Sequence, residues 1–397
     1  MTTFPNRWQD PGMRSLFVVL VALLVACQPP AQKPPSGPPT GGCAATDAAQ
    51  CLVNQMACAA TSTGPSCQSC DYTTYASATG ACLPIEGTPM FHDFPEQTIG
   101  AGSEAGGECR SWTLGNEEEL WIGAVELVQN EQSHHSNWTW APDTDFPGPD
   151  GIWSCGTRSY GFFEGGAAGG VLFAQSTQAP HEVERFPPGA GFRVPPHVRI
   201  ISDIHLLNAS SKSVTGHAHL VLYTHPAAEI TTQLRVSHLE YDDIHIAPHT
   251  LARLTSNCSV AQQASAATGT PYGGKVYYAL PHTHTLATSY KLGILGGPSD
   301  GEKLLDLGGY NGVAHGRAFD PPIDFTGANG FSLTCEYDNT RDIQVNWGVG
   351  TDEMCEGFVW TDSSVFFQSR VSYGVDEGLD GDMRVFDGPC DTVIVSH

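Results

Sequence analysis

Two short segments, residues 281–284 and 351–355, carry side chains that could bind a metal ion together. Successive side chains of a β-strand point to opposite faces, so His282 and His284 would share one face and could bind the same ion. Met354, in the second segment, adds a thioether sulfur. This donor set favours copper, because thioether sulfur selects Cu(I) and imidazole binds Cu(II) more tightly than the other first-row divalent ions. A zinc site would more often include a thiolate or a carboxylate.

A second group of histidines could form an all-nitrogen metal site. His134 and His135 are adjacent, so they would face opposite ways in a regular strand and could share an ion only at a strand end or bend. The third candidate is His205, which lies in an apolar, strand-like run. His217 and His219 are alternatives to His205, since their i, i+2 spacing would also place them on one face of a strand.

The elements that position these residues are expected to be β-strands. From about residue 90 onward, short strand-like runs alternate with glycine, proline, asparagine and aspartate. The chain has 397 residues with 44 glycines, 28 prolines and only 15% charged residues, a composition typical of turn-rich β structure. About 300 residues in this style favour two β-sandwiches over one. The fold class predicted from the sequence is therefore all-β.

The N-terminal residues 1–26 are typical of a bacterial lipoprotein signal peptide. A basic residue precedes an apolar run that is too short to span a bilayer, and the run ends in a lipobox at Cys27. Cleavage would leave Cys27 as the lipid-bearing first residue, followed by a Pro-rich tether over residues 27–42. Gln28 in place of aspartate predicts export to the outer membrane, on its periplasmic or cell-surface face. An ordinary secretory signal with an incidental cysteine is the alternative.

The cysteine count indicates an oxidising compartment. Thirteen cysteines minus Cys27 leave twelve, an even number, as a disulfide framework requires. Six of them lie in residues 43–85, where few large apolar side chains occur, so disulfides must replace a hydrophobic core. This segment is predicted to be a small EGF-like or similarly stapled module. A zinc site at Cys67 and Cys70 is the alternative interpretation there.

The charge of the chain excludes one class of partner. The formal net charge is −24, and only 18 residues are lysine or arginine. Binding to a phosphate backbone depends on clustered basic residues. No nucleic-acid partner is therefore expected.

From about residue 90 to its C-terminus, the chain resembles the copper type II, ascorbate-dependent monooxygenases, the family of peptidylglycine α-hydroxylating monooxygenase and dopamine β-hydroxylase. The resemblance implies two tandem jelly-roll-like sandwich domains, at residues 86–235 and 236–397. Each domain would carry one copper ion, and the two ions would face each other across a solvent-filled cleft. The matching landmarks occur in the order His134 and His135, residues 191–194, Asp203 and His205, His282 and His284, and residues 352–355.

The resemblance also implies roles for the two candidate sites. The site of His134, His135 and His205 matches the copper that supplies electrons. The site of His282, His284 and Met354 matches the copper at which O2 and substrate react. It is therefore predicted to be the catalytic site. A reductant such as ascorbate, or another one-electron donor, would supply electrons. One oxygen atom would enter an aliphatic C–H bond of a small organic or peptide-like substrate, and the other would leave as water.

Three disulfides are implied by the same resemblance. They would close loops in both sandwiches, and one of them would hold the strand next to Met354. Bonds of this kind typically contribute about 2–4 kcal/mol each. The implied pairs are Cys109 with Cys155, Cys258 with Cys390, and Cys335 with Cys355.

The sequence departs from the family at two positions beside the metal ligands. Peptide-amidating members hold a substrate carboxylate with an arginine two residues before the His-Thr-His motif and a tyrosine four residues after the methionine. Here these positions are Leu280 and Phe358, neither of which can hold a carboxylate. A peptide ending in glycine is therefore not expected as the substrate. Leu280, Glu356 and Phe358 are the predicted substrate neighbours, with core packing as the alternative for Phe358.

Two other functions compete with the monooxygenase hypothesis. A non-catalytic copper-binding or adhesion surface lipoprotein would keep the fold and some of the ligands. A zinc hydrolase would suit a histidine-rich sequence, but the chain has no His-Glu-x-x-His motif.

Overall fold

The computed structural model describes residues 42–130 and 133–395, and almost all of its regular structure is β-strand. A small disulfide-rich module is followed by two tandem jelly-roll-like β-sandwiches, which confirms the predicted fold class. The predicted signal peptide, the lipidation site Cys27 and nearly all of the tether lie outside the described residues. Within the described ranges, no helix is long and apolar enough to cross a membrane.

The module is held together by disulfides rather than by an apolar core. Its six cysteines pair first with third, second with fourth and fifth with sixth: Cys43 with Cys58, Cys51 with Cys67, and Cys70 with Cys82. Since Cys67 and Cys70 are both in disulfides, the zinc interpretation of these two residues is wrong. The elements of the module are α1 (Ala45–Leu52), β1 (Ala57–Thr61), β2 (Gly64–Gln68), β3 (Thr74–Ala76) and β4 (Cys82–Pro84).

The first sandwich consists of two large sheets. One has the strand order β11-β7-β15-β10-β12, with β9 also paired to β15, and the other has the order β18-β14-β8-β17-β5, with β13 also paired to β8. Its elements are β5 (Thr88–Asp93), β6 (Gln97–Ile99), β7 (Ser103–Thr113), β8 (Leu120–Gln129), β9 (Ser133–His135), β10 (Asn137–Pro142), β11 (Gly151–Ser154), α2 (Phe162–Ala168), β12 (Gly170–Ala174), β13 (His181–Arg185), β14 (Ala190–Val194), β15 (Val198–Asn208), β16 (Val214–Gly216), β17 (Ala218–His225) and β18 (Thr232–Gln233).

The second sandwich also has two six-stranded sheets, with the orders β25-β22-β28-β19-β29-β32 and β24-β23-β26-β21-β31-β30. Its elements are β19 (Arg235–Tyr241), β20 (His245–Ile246), β21 (Thr250–Ser259), α3 (Ala261–Thr268), β22 (Lys275–Thr283), β23 (Ala287–Leu295), β24 (Lys303–Gly308), β25 (Arg317–Asp324), β26 (Gly330–Asn339), β27 (Val345–Asn346), β28 (Cys355–Thr361), β29 (Phe366–Val371), β30 (Val375–Asp380), β31 (Met383–Gly388) and β32 (Asp391–Val395).

Alternating side chains build the core between the sheets of the second sandwich. Along β26, Phe331, Leu333 and Tyr337 are buried on one face, while the residues between them are partly exposed. This period of two is what a strand with one face against a core requires. Burial of each such side chain contributes about 1.5–3 kcal/mol.

The disulfides of the sandwiches pair as the family resemblance implies: Cys109 with Cys155, Cys258 with Cys390, and Cys335 with Cys355. The last of these bonds crosses the core. Cys335 lies on β26 and Cys355 begins β28, and these strands belong to opposite sheets of the second sandwich. The bond therefore fixes the start of β28, directly after Met354.

An apolar cluster joins the two sandwiches. The ring of Phe186 lies 6.0 Å from that of Tyr278 and 6.2 Å from that of Trp360 across the boundary. Leu280 and Phe358 belong to the same buried cluster. This contact brings the end of β22 against the first sandwich, where β9 and the segment after β12 lie.

Candidate metal centre

His282 lies near the end of β22, His284 follows the last residue of that strand, and the two rings face one another. Their Nε2 atoms are 3.3 Å apart. The His282 Nδ1 atom donates to the Gln175 carbonyl at 2.8 Å, and the His284 Nδ1 atom donates to the Asp352 carbonyl at 2.9 Å. Because a carbonyl oxygen can only accept, both Nδ1 atoms carry the proton, and both Nε2 atoms present a lone pair.

This geometry fits a metal ion. Two nitrogens bound at about 2.0–2.1 Å to a tetrahedral ion lie roughly 3.3 Å apart, which is the separation observed. Without an ion, two buried lone pairs would face each other with no donor between them, an arrangement that costs free energy. Backbone carbonyls that fix the tautomer and ring orientation are the usual outer partners of metal-binding histidines.

Met354 lies beside this pair. The register of β22 and β28 pairs Thr283 with Cys355, and one further residue places Met354 opposite His284. Met354 is buried, and its carbonyl accepts a hydrogen bond from the Tyr337 hydroxyl at 2.6 Å. The segment is held further by Glu353, whose carboxylate accepts the backbone N–H of His284 at 3.0 Å. The structure thus brings the two imidazoles together and places the Met354 backbone next to that of His284.

His134, His135 and His205 form a second group. His134 and His135 lie on β9, and β15 pairs His205 directly with His135. One ring nitrogen from each of the three lies within 4.8 Å of the others. The His134 Nε2 atom, the His205 Nδ1 atom and both ring nitrogens of His135 are buried without a hydrogen-bond partner. Buried polar atoms are rarely left unpaired, so these nitrogens are suited to hold an ion.

The outer nitrogens of this second group have partners. The His205 Nε2–H donates to the Glu104 carboxylate at 2.6 Å. His134 contacts the side-chain amide of Gln178 through Nδ1. The Glu104 contact fixes the His205 tautomer and leaves the Nδ1 lone pair directed at the group, whereas the amide nitrogen of Gln178 can only donate to His134 Nδ1 and serves to orient that ring.

The two groups touch, so the expectation of a solvent-filled cleft between them is wrong for this structure. The ring centroids of His134 and His284 are 4.8 Å apart, and those of His135 and His282 are 4.7 Å apart. His135 also belongs to a three-nitrogen group with His282 and His284. All five side chains are only 1–5% exposed. The sandwiches pack directly, and the two sites become one histidine cluster.

Burial favours the neutral form of four histidines in the cluster. It lowers the pKa of His134 to about 2 and that of His284 to about 3, and neighbouring imidazoles add to the effect. The pKa of His135 is also well below its usual value, chiefly through burial. Burial lowers the pKa of His205, although Glu104 opposes the shift. These imidazoles are therefore unprotonated at neutral pH, the form that binds metals.

The alternative ligands lie elsewhere. His219, on β17, is hydrogen-bonded through Nδ1 to the Asp93 carboxylate. His217 lines a small cavity with Arg110 and Gln97. Neither joins the three-residue groups that could hold an ion, so the geometry favours His205 as the third ligand.

Replacing His205 with alanine is expected to lower the bound metal from two ions per chain to one, because it removes the pairing partner of His135. Elemental analysis of metal-loaded protein measures this. The matched variant His219→Ala should retain both ions. Two ions in His205→Ala together with one in His219→Ala would reassign the ligand.

The predicted substrate neighbours lie in the interior. Leu280 and Phe358 have no exposed surface, and the Phe358 ring stacks on His238 with centroids 4.3 Å apart. In this structure neither residue can contact a substrate, which corrects that prediction for both. Glu356 is also buried, lies opposite His282 in the sheet and has its carboxylate 3.4 Å from His238.

Sequence reasoning missed four residues that support the cluster: Glu104, Gln175, Gln178 and Glu353. The first three come into contact with the histidines only through tertiary structure, and no motif marks them. Glu353 could have been found, since it directly precedes Met354 in one of the two segments that suggest a metal site. Carboxylates adjacent to metal ligands commonly orient them.

Comparisons with known proteins give little further information. No family model and no curated protein matches the chain. A similar solved structure is the major capsid protein P2 of bacteriophage PM2, with 9% identity and a TM-score of 0.26 over 70% of this chain and 98% of that chain. Another is the cowpea mosaic virus top component, with 12% identity and a TM-score of 0.31 over 74% and 94%. The PBSX exported protein XepA follows with 7% identity and a TM-score of 0.20 over 77% and 99%. At such low TM-scores, these similarities do not indicate a function for this protein.

Proposed function

We propose that this protein is a copper-dependent monooxygenase that hydroxylates an aliphatic C–H bond of a small organic or peptide-like substrate, using O2 and a reductant such as ascorbate. The observation that carries the proposal is the pair of buried Nε2 atoms of His282 and His284, 3.3 Å apart, with both Nδ1 atoms committed to carbonyls. The adjacent group of His134, His135 and His205 supports a second ion in the same cluster.

The donor set supports copper over zinc. All twelve cysteines of the described ranges are in disulfides, so no thiolate is free to bind a metal there. The donors that remain are neutral imidazoles and the Met354 thioether. Imidazole with thioether suits copper in both of its common oxidation states.

Bound copper would supply the one-electron redox chemistry and the activation of O2. In the overall reaction, one oxygen atom enters the C–H bond and the other forms water, with two electrons from the reductant and two protons. The chain's own residues orient the imidazoles, and burial favours the neutral form of His134, His135, His205 and His284. Their burial also excludes water, which limits the release of reactive oxygen species.

The surroundings of the catalytic pair argue against a carboxylate clamp of the kind that amidating members of the resembled family use. Leu280 and Phe358 occupy the positions at which amidating members of the resembled family carry cationic and phenolic groups, and both belong to an apolar cluster. The six disulfides support export to an oxidising compartment, consistent with the predicted lipid anchor at Cys27.

Replacing Met354 with isoleucine is expected to lower substrate-coupled oxygen uptake by about 10- to 100-fold. Loss of a residue that only orients a metal ligand typically lowers activity by this factor, and loss of a ligand should lower it at least as much. The measurement is oxygen consumption by copper-loaded protein with ascorbate, across a panel of aromatic amines and peptides. Met383→Ile, on β31, is the matched control and should retain wild-type uptake. Equal coupled uptake in Met354→Ile and wild type would contradict the assignment.

The second candidate function is a non-catalytic copper-binding surface lipoprotein. The observation in its favour is the 1–5% exposure of the five histidines, which leaves no open path for a substrate in this arrangement. Product formation separates the two candidates. If no substrate in the panel is hydroxylated while copper remains bound, the result supports the copper-binding function over the monooxygenase function.

A further inference from the structure

One side chain of the disulfide-rich module contacts both sandwiches. Gln55 lies in the turn between α1 and β1. Its Nε2 atom donates to the Tyr278 hydroxyl at 3.2 Å and to the Gly316 carbonyl at 3.0 Å, both in the second sandwich. Its Oε1 atom accepts the backbone N–H of Val183, in β13 of the first sandwich, at 3.3 Å. A single amide thus bridges the boundary between the two sandwiches.

The module is anchored to the first sandwich by a buried carboxylate. Glu126, on β8, accepts the backbone N–H of Thr73 at 2.8 Å. The same carboxylate also accepts the Tyr223 hydroxyl at 2.7 Å and contacts His181 at 2.8 Å. Nearby, the Arg185 guanidinium lies 3.9 Å from the centre of the Tyr75 ring. Hydrogen bonds to a buried charge are stronger than neutral ones, so these contacts attach the module firmly to the first sandwich.

The turn that carries Gln55 is itself fixed. The disulfides of Cys51 with Cys67 and Cys43 with Cys58 hold the two elements on either side of it. The Gln55 backbone has a φ of 52°, in the left-handed region, and its N–H bonds the Leu52 carbonyl at 2.9 Å. The side-chain amide of Gln55 therefore extends from a turn whose backbone is held in place.

Gly316, one of the two second-sandwich partners of Gln55, belongs to a loop, residues 309–316, that lies against the histidine cluster. Tyr310 in this loop donates to the Gln178 side chain at 3.0 Å, and Gln178 contacts His134. The His315 backbone N–H donates to the Ser176 hydroxyl at 3.1 Å. If the sandwiches moved apart at this boundary, these bonds would break and the histidine cluster would meet solvent.

We propose that the disulfide-rich module is an internal brace that holds the two sandwiches closed over the histidine cluster, with Gln55 as its latch. Substrate then enters only when the latch opens, so the module regulates access to the buried ligands. The claim that the module regulates substrate access rests on the proposed function. The claim that the module holds the two sandwiches closed rests only on the contacts described above.

The test measures exposure of the cluster histidines in the metal-free, full-length protein. Diethylpyrocarbonate modifies accessible imidazoles, and peptide mass spectrometry assigns each modified residue. Gln55→Ala is expected to raise the modification rate of His282 and His284 by about fivefold or more, because loss of roughly 1 kcal/mol in hydrogen bonding shifts an opening equilibrium by that factor. Gln68→Ala, at an exposed position on β2 of the same module, should leave the rate unchanged. The exposed His249 serves as the internal reference.

Equal protection of the histidine cluster in Gln55→Ala and wild type would overturn the proposal. If Gln55→Ala does not fold, Tyr278→Phe removes one acceptor of the same amide while keeping the ring, and faster modification is again expected. The protein contains no metal in this experiment, so the result tests the brace proposal separately from the monooxygenase proposal. The monooxygenase proposal fails only if the copper-loaded protein hydroxylates no substrate.

Discussion

Replacing His284 with alanine is expected to remove one of two copper ions and to lower coupled hydroxylation by more than about 100-fold. Its Nε2 atom faces that of His282 at 3.3 Å, so the variant leaves a single imidazole where two would bind the ion. The loss should exceed that of Met354→Ile, since a thioether is the weaker ligand. Copper content and oxygen uptake with ascorbate are the two measurements.

Alanine at this position should preserve the local backbone. The contact with Glu353 is made by the backbone N–H of residue 284, which alanine retains. His249→Ala is the matched control, because His249 is exposed and pairs only with Asp342 at the surface. The control should bind two ions and turn over normally. A His284→Ala protein with two ions and full turnover would refute the assignment of this pair.

Acidification of the metal-free protein from pH 7.5 to 5 is expected to open the histidine cluster. Burial lowers the pKa of His134 to about 2 and of His284 to about 3, while an exposed histidine titrates near about 6.5. The closed arrangement therefore binds fewer protons than an opened one. Its stability is unaffected above about pH 6.5 and falls as the pH drops from there toward about 3. At pH 5 each such histidine costs about 2 kcal/mol.

Buried carboxyl groups act in the opposite direction. Burial raises the pKa of Glu353 to about 7, so this group favours the closed arrangement as the pH falls from about 7 to 4.5 and offsets about one histidine. Burial also raises the pKa of Glu182 and Glu184, but their carboxyl groups are hydrogen-bonded to Ser176 and Ala174 within the first sandwich, and separation of the sandwiches leaves those bonds in place. With these two groups unchanged, the lowered pKa values of His134, His135 and His284 favour opening.

Small-angle X-ray scattering and amide hydrogen exchange across the boundary between the sandwiches would measure this opening. The copper-loaded protein is the control, because a bound ion competes with protons for the same nitrogens and should keep the cluster closed to lower pH. An unchanged radius of gyration and unchanged exchange protection at pH 5 in the metal-free protein would contradict the prediction.

Local sequence patterns predict the parts of this protein that depend on strand geometry. The i, i+2 spacing of His282 and His284 predicts a shared face, and in the structure their Nε2 atoms meet. Turn residues at short intervals between apolar runs predict many short strands, and many short strands predict β-sandwiches. Both inferences depend only on the period of a strand.

Features that depend on packing between distant segments could not be predicted this way. Gln175 holds His282 through a backbone carbonyl, which any residue type could supply. Leu280 and Phe358 differ from the resembled family, but only the direct packing of the two sandwiches shows that both are enclosed. The closed histidine cluster follows from the same packing, whereas the family resemblance implied a cleft.

The disulfide between Cys335 and Cys355 bears on the choice of reductant in an assay. Neither cysteine has exposed surface, so a thiol reductant can reach this bond only when the second sandwich opens. Under conditions that open the sandwich, exchange with a thiol would free the backbone next to Met354. Ascorbate contains no thiol, so assays reduced with ascorbate leave this crosslink intact even then.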